Sequence, residues 1–236
     1  MFALSSSLSL VLPAPCAVCR MVCSRRVCRA CVDRDAPAKP RCARCALVLP
    51  SRVERCTECL RDEPPFTSTV AAVDYRFPWN ELVDHFKSHD ALDRADAVAE
   101  LMLLAIGRAG AAAPDITVPV PASRERMRER GYNPAWELAR RVARTLDLPA
   151  RPDALRRIVH TPPQRTSTRA ERMRNLRGVF DVSPASRSWL HGRSVALVDD
   201  VMTTTATAAE ATRTLLAAGA REVRVWVAAR TPLPGD

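Results

Sequence analysis

Short runs of aliphatic and β-branched residues alternate along the chain with longer stretches in which apolar positions recur every three or four residues. The short runs predict strands near 70–75, 116–120, 155–160, 178–182, 194–199 and 223–229. The longer stretches predict helices near 78–87, 90–108, 133–146 and 206–218. In the last of these, Ala208, Ala211, Leu215 and Ala218 recur at the spacing of a helix laid on a sheet. Strands and helices that alternate in this order predict an α/β domain over residues 66–236, with a mostly parallel sheet.

Before residue 66 the pattern changes. Apolar positions are too sparse there to build a core, and four Cys-x-x-Cys pairs take over: Cys16 with Cys19, Cys28 with Cys31, Cys42 with Cys45, and Cys56 with Cys59. A two-residue gap lets both sulfurs of a pair reach one ion at about 2.3 Å, and two pairs close a tetrahedral structural zinc shell. Eight ligands predict about two zinc ions in a module spanning residues 1–65, with metal binding supplying much of its folding energy. The gaps between pairs suit either consecutive pairing or an interleaved cross-brace, and consecutive pairing is the preferred expectation. Cys23 is left without a pair and reads as an ordinary thiol. Nine Cys in a reducing compartment point to metal rather than disulfides. No run approaches the roughly 18 apolar residues of a membrane span, so no membrane insertion and a cytoplasmic location are expected. The opening stretch MFALSSSLSLVLP lacks a basic start and reads as a short packing helix rather than a signal peptide.

Charge sharpens the division. The net charge is +10, and 34 of the 36 basic residues are arginine. Residues 1–65 carry an excess of five positive charges that eight zinc-bound thiolates would nearly cancel, whereas residues 121–178 hold 15 Arg against 6 acids. The basic surface therefore belongs to the α/β part, where guanidinium forks suit phosphates and polyanions. Only 5% of residues are aromatic, so binding of single-stranded DNA would be led by backbone phosphates and sensitive to salt. His85, His89, His160 and His191 show no metal or nucleophile spacing.

Candidate chemistry gathers in RSVALVDDVMTTTAT, residues 193–207. The run Val195–Val198 reads as a buried strand, Asp199 and Asp200 fall at its carboxyl edge, and Thr203, Thr204, Thr205, Ala206 and Thr207 turn into a helix. Ligands of open α/β sheets bind at that edge. The helix start offers free N–H groups to an anion, and the threonine hydroxyls add donors without adding charge. Two acids beside a phosphate cradle suit a sugar phosphate, with the carboxylates accepting from ribose hydroxyls.

This segment resembles the phosphoribosyl pyrophosphate signature of type I phosphoribosyltransferases. The blocks VPVPASRERMRERGYNPAWELAR (118–140) and TPPQRTSTRAERMRNLRGVF (161–180), together with LVDHFK (82–87) and the Cys pairs, resemble the ComF family, a competence-associated branch of those enzymes. The resemblance implies a type I phosphoribosyltransferase-like sheet behind a zinc ribbon module, and a part in DNA uptake alongside uptake machinery. It implies Asp199 and Asp200 as catalytic residues, and Thr203 to Thr207 with Arg124 and Arg126 as phosphate and ribose contacts. Mg²⁺ would arrive with the substrate, and the loop with Gln164, Arg165, Arg169 and Asn175 would act as a closing flap. A transferase, a nucleic-acid-handling factor and a nucleotide-sensing binder without turnover all share this fold. The family loop usually carries Gly where this chain has Thr205. A β-branched residue forced to a positive φ there would cost about 1–3 kcal/mol, so a strained loop is expected.

Overall fold

The computed structural model of the protein describes residues 13–88, 93–110, 112–158 and 178–233. The expected opening helix, all but Pro13, and the flap residues 161–175 lie outside them.

The first described part is a small module. A hairpin pairs β1 (Ala14–Pro15) with β2 (Val22–Cys23), and two short helices follow, α1 (Arg29–Asp35) and α2 (Thr57–Arg61). The sheet that follows contains β3 (Ser68–Asp74), β4 (Ile116–Pro119), β7 (Ser194–Met202) and β8 (Glu222–Arg230) in the order β3-β8-β7-β4, all parallel. Parallel pairing demands crossovers, and helices provide them: α3 (Trp79–Phe86), α4 (Arg94–Ala109), α5 (Arg124–Arg130), α6 (Pro134–Leu146), α7 (Pro184–Leu190) and α8 (Ala206–Ala217).

Period-two alternation puts successive residues of the central strands into different cores. Ala196 and Val198 of β7, with Trp226 and Ala228 of β8, join the side chains of α3, α4 and α6. Val195 and Leu197, with Val223, Val225 and Val227, join α8 on the other side. Both faces of the sheet are thus covered, which is why these strands read as continuous apolar runs. Local signals agree with the boundaries. Asn133 accepts from the Ala135 amide at 3.1 Å to start α6 with Pro134 in its first turn, and α5 runs from a Ser123 cap to Gly131 at φ +77°.

Within the α/β part, the sequence reading differs from the structure in two places. The segments expected as strands near 155–160 and 178–182 do not enter the main sheet. They are β5 (Leu155–Arg157) and β6 (Phe180–Val182), paired antiparallel with Leu155 opposite Val182. Three residues each, they bury Leu155, Phe180 and Val182 against the α8 side of the core. Helices α5 and α7 were absent from the expected elements. Ser183 followed by Pro184 is a cap and first-turn pair that marks the start of α7.

The module is fastened to the α/β part rather than merely linked to it. Cys16, Val27, Cys31 and Val32 share one apolar core with Trp79, Leu82, Val83 and Phe86. The Trp79 indole donates to the Asp35 carbonyl at 2.8 Å, and Arg25 pairs with Glu100 at 2.7 Å. Lys39 and Arg41 converge on Asp74, at 2.6 and 2.8 Å, where β3 ends.

Candidate functional site

Two groups of four cysteines form in the module. Cys16, Cys19, Cys28 and Cys31 make one, Cys42, Cys45, Cys56 and Cys59 the other, with all four sulfurs of each group within 4.8 Å of one another. The pairing is therefore consecutive, and the cross-brace alternative is excluded. A zinc ion with Zn–S bonds of about 2.3 Å sets its sulfurs about 3.8 Å apart. The separations of 3.7 Å between Cys19 and Cys28 and 3.6 Å between Cys45 and Cys56 fit that shell. Backbone amides already point at the sulfurs: Val18 and Cys28 N–H at Cys16 Sγ (3.4 and 3.3 Å), and Cys56 N–H at Cys42 Sγ (3.4 Å). Burial works against the Cys16 thiolate, but these amides outweigh it and bring the thiol down to about 6; the same balance brings Cys42 to about 7. Four thiolates would leave no open position on an ion, so a metal held by either group would be structural in kind. Cys23 stands apart and donates to the Arg25 carbonyl at 2.9 Å.

The second site lies at the carboxyl edge of the sheet. β7, one of the two central strands, ends with Asp199 and Asp200 still in its ladder, and Thr203–Thr205 bend into α8. The Asp200 amide donates to Asp199 Oδ1 at 2.9 Å, and the Val201 amide to Asp200 Oδ1 at 2.7 Å. Lys87, the residue that ends α3, sets its ammonium 3.3 Å from Asp200 Oδ2. The two acids are shifted in opposite directions. Burial, and then the charge of Asp200, push Asp199 well above the usual carboxylate range. Burial opposes ionisation of Asp200 as well, but Lys87 and the Val201 amide outweigh it and hold this carboxyl below its usual value.

Two aromatic hydroxyls flank the Lys87 end of α3. The Lys87 ammonium lies 5.6 Å from the centre of the Tyr75 ring, and the Tyr75 hydroxyl donates to Asp84 at 2.5 Å. Burial and that bond push the Tyr75 phenol up to about 12. Tyr132 donates to the carbonyls of Phe86 and Ser88, which pins the end of α3 to the start of α6.

At α8 the first-turn amides have no side-chain cap, and no acidic residue occupies the turn. Thr205 sits at φ −76° and ψ −7°, a helical conformation open to any residue. The strain expected from a threonine in place of glycine is therefore absent: this turn closes without a positive φ. Thr203 is exposed, and Thr204, Thr205 and Thr207 are half-buried. Arg124 and Arg126 begin α5, which follows β4 at the same edge, where the Val120 amide donates to Val198 O at 2.8 Å. Among the predicted site residues, Asp199, Asp200 and the threonine turn thus form one continuous segment, and Arg124 and Arg126 lie on the neighbouring strand's connection.

Sequence reasoning assigned no role to Lys87, Tyr75, Tyr132 or Arg230. A signal did exist for one of them. Lys39 and Lys87 are the only two lysines in an arginine-dominated chain, and each sits on a carboxylate. Arg230 is buried at 7% exposure, and its guanidinium donates to the carbonyls of Cys45 (2.9 Å), Met202 (3.0 Å), Thr203 (3.0 Å) and Thr231 (2.8 Å).

A doubly covered parallel sheet, an acid pair and threonine turn at its carboxyl edge, and two four-cysteine groups docked on it define an α/β protein with an integral module fitted to hold metal. No family model matches the chain. Competence protein F of Haemophilus influenzae is 32% identical over 195 residues, covering 81% of this chain and 85% of that protein. DNA utilization protein YhgH of Escherichia coli K12 is 31% identical over 229 residues, covering 94% of this chain and 99% of that protein. The chain belongs to the ComF family. A solved glutamine phosphoribosylpyrophosphate amidotransferase from B. subtilis overlaps 64% of this chain and 30% of its own at a TM-score of 0.42 and 19% identity, a likeness too loose to carry an argument. Among the described residues, no helix is long and apolar enough to cross a membrane.

Proposed function

We propose that the protein binds phosphoribosyl pyrophosphate, or a related nucleotide, at the carboxyl edge of β7, and that this binding serves a ComF-type role in DNA uptake. The observation that carries the reading is the acid pair at the carboxyl edge, with Lys87 3.3 Å from Asp200, directly before an uncapped helix start. In this reading Asp199 and Asp200 accept hydrogen bonds from the two ribose hydroxyls. The amides and hydroxyls of Thr203–Thr207 hold the 5′-phosphate. Arg124 and Arg126 counter the pyrophosphate charge. The names of the two relatives, competence and DNA utilization, support the cellular role.

Among the described residues, the two groups of four cysteines are the only clusters of three or more side chains able to hold a metal ion together. Mg²⁺ would come with the pyrophosphate, whose charge it neutralises when bound. Zinc at the cysteine centres would hold the module's knuckles in place and take no part in chemistry at the acid pair.

Calorimetric titration with phosphoribosyl pyrophosphate and Mg²⁺ tests the reading. Saturable one-site binding is expected in the wild type, and loss of measurable binding in Asp199→Asn/Asp200→Asn with folding intact. A double variant that binds like the wild type would place the ligand elsewhere. Release of pyrophosphate from the bound complex separates a transferase from a binder without turnover.

A second reading, direct contact with single-stranded DNA, is favoured by α5. No residue of this helix is buried, and Arg124, Arg126, Arg128 and Arg130 all lie on it. The two readings are compatible, because α5 follows β4 at the edge of the proposed ligand and carries four unburied arginines along its length.

A further inference from the structure

Arg230 closes β8 with its side chain buried. The register of the sheet does not need that side chain: the Thr231 amide already donates to Met202 O at 3.0 Å, and the Tyr75 amide to Arg230 O at 2.8 Å. The guanidinium instead reaches beyond the strand ends in two directions. Toward the module, Nε donates to Cys45 O, the carbonyl of a cysteine in the second four-cysteine centre. Toward the ligand edge, the same planar group donates to Met202 O and Thr203 O, the last residue of β7 and the first of the threonine turn.

The Cys45 carbonyl is oriented by a tight knuckle. Ala46 takes a positive φ of 56°, its amide donates to Cys42 O at 2.9 Å, and the Cys42 amide donates to Leu47 O at 2.7 Å. A metal ion bonded to both Cys42 and Cys45 fixes this loop. Without the metal, four neighbouring thiols remain with no crosslink, and the carbonyl can turn away. A buried guanidinium that loses one acceptor cannot recruit bulk water and must shift to recover it. Because the fork is rigid, a shift at Nε also moves the donor that serves Met202 and Thr203. A lysine could meet only one side of this junction.

We propose that Arg230 is a positioning residue that couples metal occupancy of the Cys42–Cys59 centre to the geometry of the threonine turn, so that zinc at this centre sets the affinity for the sugar phosphate. The coupling rests on the function proposed above. It assigns different work to the two centres: the first packs against α3 and α4, while the second reaches the ligand edge through one side chain.

The test uses the full chain, phosphoribosyl pyrophosphate with Mg²⁺ as probe, and a metallochromic dye to follow zinc release. Cys59→Ser empties the second centre, and Arg230→Lys keeps the charge but loses the fork. Each should weaken the probe by at least about fivefold, the lower end of ordinary coupling between sites. The double variant should be no weaker than the poorer single one, because both changes break the same link. Reciprocally, saturating probe should slow zinc release from one of the two centres in the wild type. Additive losses in the double variant, or wild-type affinity in Cys59→Ser, would overturn the coupling while leaving the sugar-phosphate site in place. A wild type that binds no probe overturns both. If Arg230→Lys fails to fold, release rates of wild-type zinc that ignore the probe overturn the coupling by themselves.

Discussion

The ammonium of Lys87 stands 3.3 Å from Asp200, so α3, an element outside the signature segment, sets the charge state of the acid pair. With Asp199 raised and Asp200 lowered, a proton taken up by the empty site goes to Asp199 before Asp200. Ribose hydroxyls that donate to both groups favour the doubly ionised pair. Affinity for phosphoribosyl pyrophosphate should therefore fall as pH drops through the raised Asp199 value. Lys87→Met should move the midpoint of that profile to higher pH and weaken binding at neutral pH by about tenfold or more, the usual worth of a charged hydrogen bond of about 1.5–3 kcal/mol. Titrations from acid to alkaline pH decide it, and an unmoved midpoint counts against the assignment. In the empty protein the sign is opposite. A raised acid loses stability as pH climbs from its unfolded to its folded value, so Asp199→Asn should raise the melting temperature above that window and leave it unchanged well below it.

Thr205→Gly should leave ligand affinity within about twofold of wild type. The backbone at Thr205 is already helical, so glycine has no strain to relieve. Its added freedom in the unfolded chain should lower stability by no more than about 1 kcal/mol. A large gain in affinity would mean that the turn adopts a positive φ when the ligand binds.

Freshly purified, reduced protein should carry about two zinc ions per chain by metal analysis. Chelation should also perturb the α/β part, because the first centre shares a core with Trp79, whose indole is bonded to Asp35. A single melting transition at lower temperature is expected, together with a change in tryptophan fluorescence. A module that melts alone, ahead of an unaltered main transition, would show the shared core to be weak.

Binding of single-stranded DNA should depend on salt through α5. Arg128→Gln with Arg130→Gln should flatten the slope of log affinity against log salt by about 0.7 for each phosphate that the variant no longer neutralises. Titration with phosphoribosyl pyrophosphate should be unaffected, since both residues lie a turn beyond Arg124 and Arg126. An unchanged slope would remove α5 from any DNA surface.

The sequence made the α/β plan legible because buried parallel strands leave continuous apolar runs, as in Val195–Val198, and because Cys-x-x-Cys spacing is specific to metal knuckles. The acid pair and threonine turn were legible for a similar reason: they are contiguous. What escaped was assembled from distant segments. Lys87 meets Asp200 across 113 residues and Arg230 meets Cys45 across 185, and no local pattern announces either pairing. The Thr205 expectation failed because it assigned a family's glycine geometry to a turn that closes in the helical region instead.

The order of the sheet has a consequence for biosynthesis. Among the described strands β8 comes last in chain order, yet it lies between β3 and β7 and pairs with both. Until β8 is made, a nascent chain therefore holds β3 as a lone strand apart from the β7–β4 pair, with strand edges left unpaired. The cysteines emerge long before, free to capture zinc, but the Cys45 carbonyl must wait for residue 230. Premature termination inside β8 would thus yield a metal-loaded knuckle without its Arg230 anchor and strand edges exposed to aggregation.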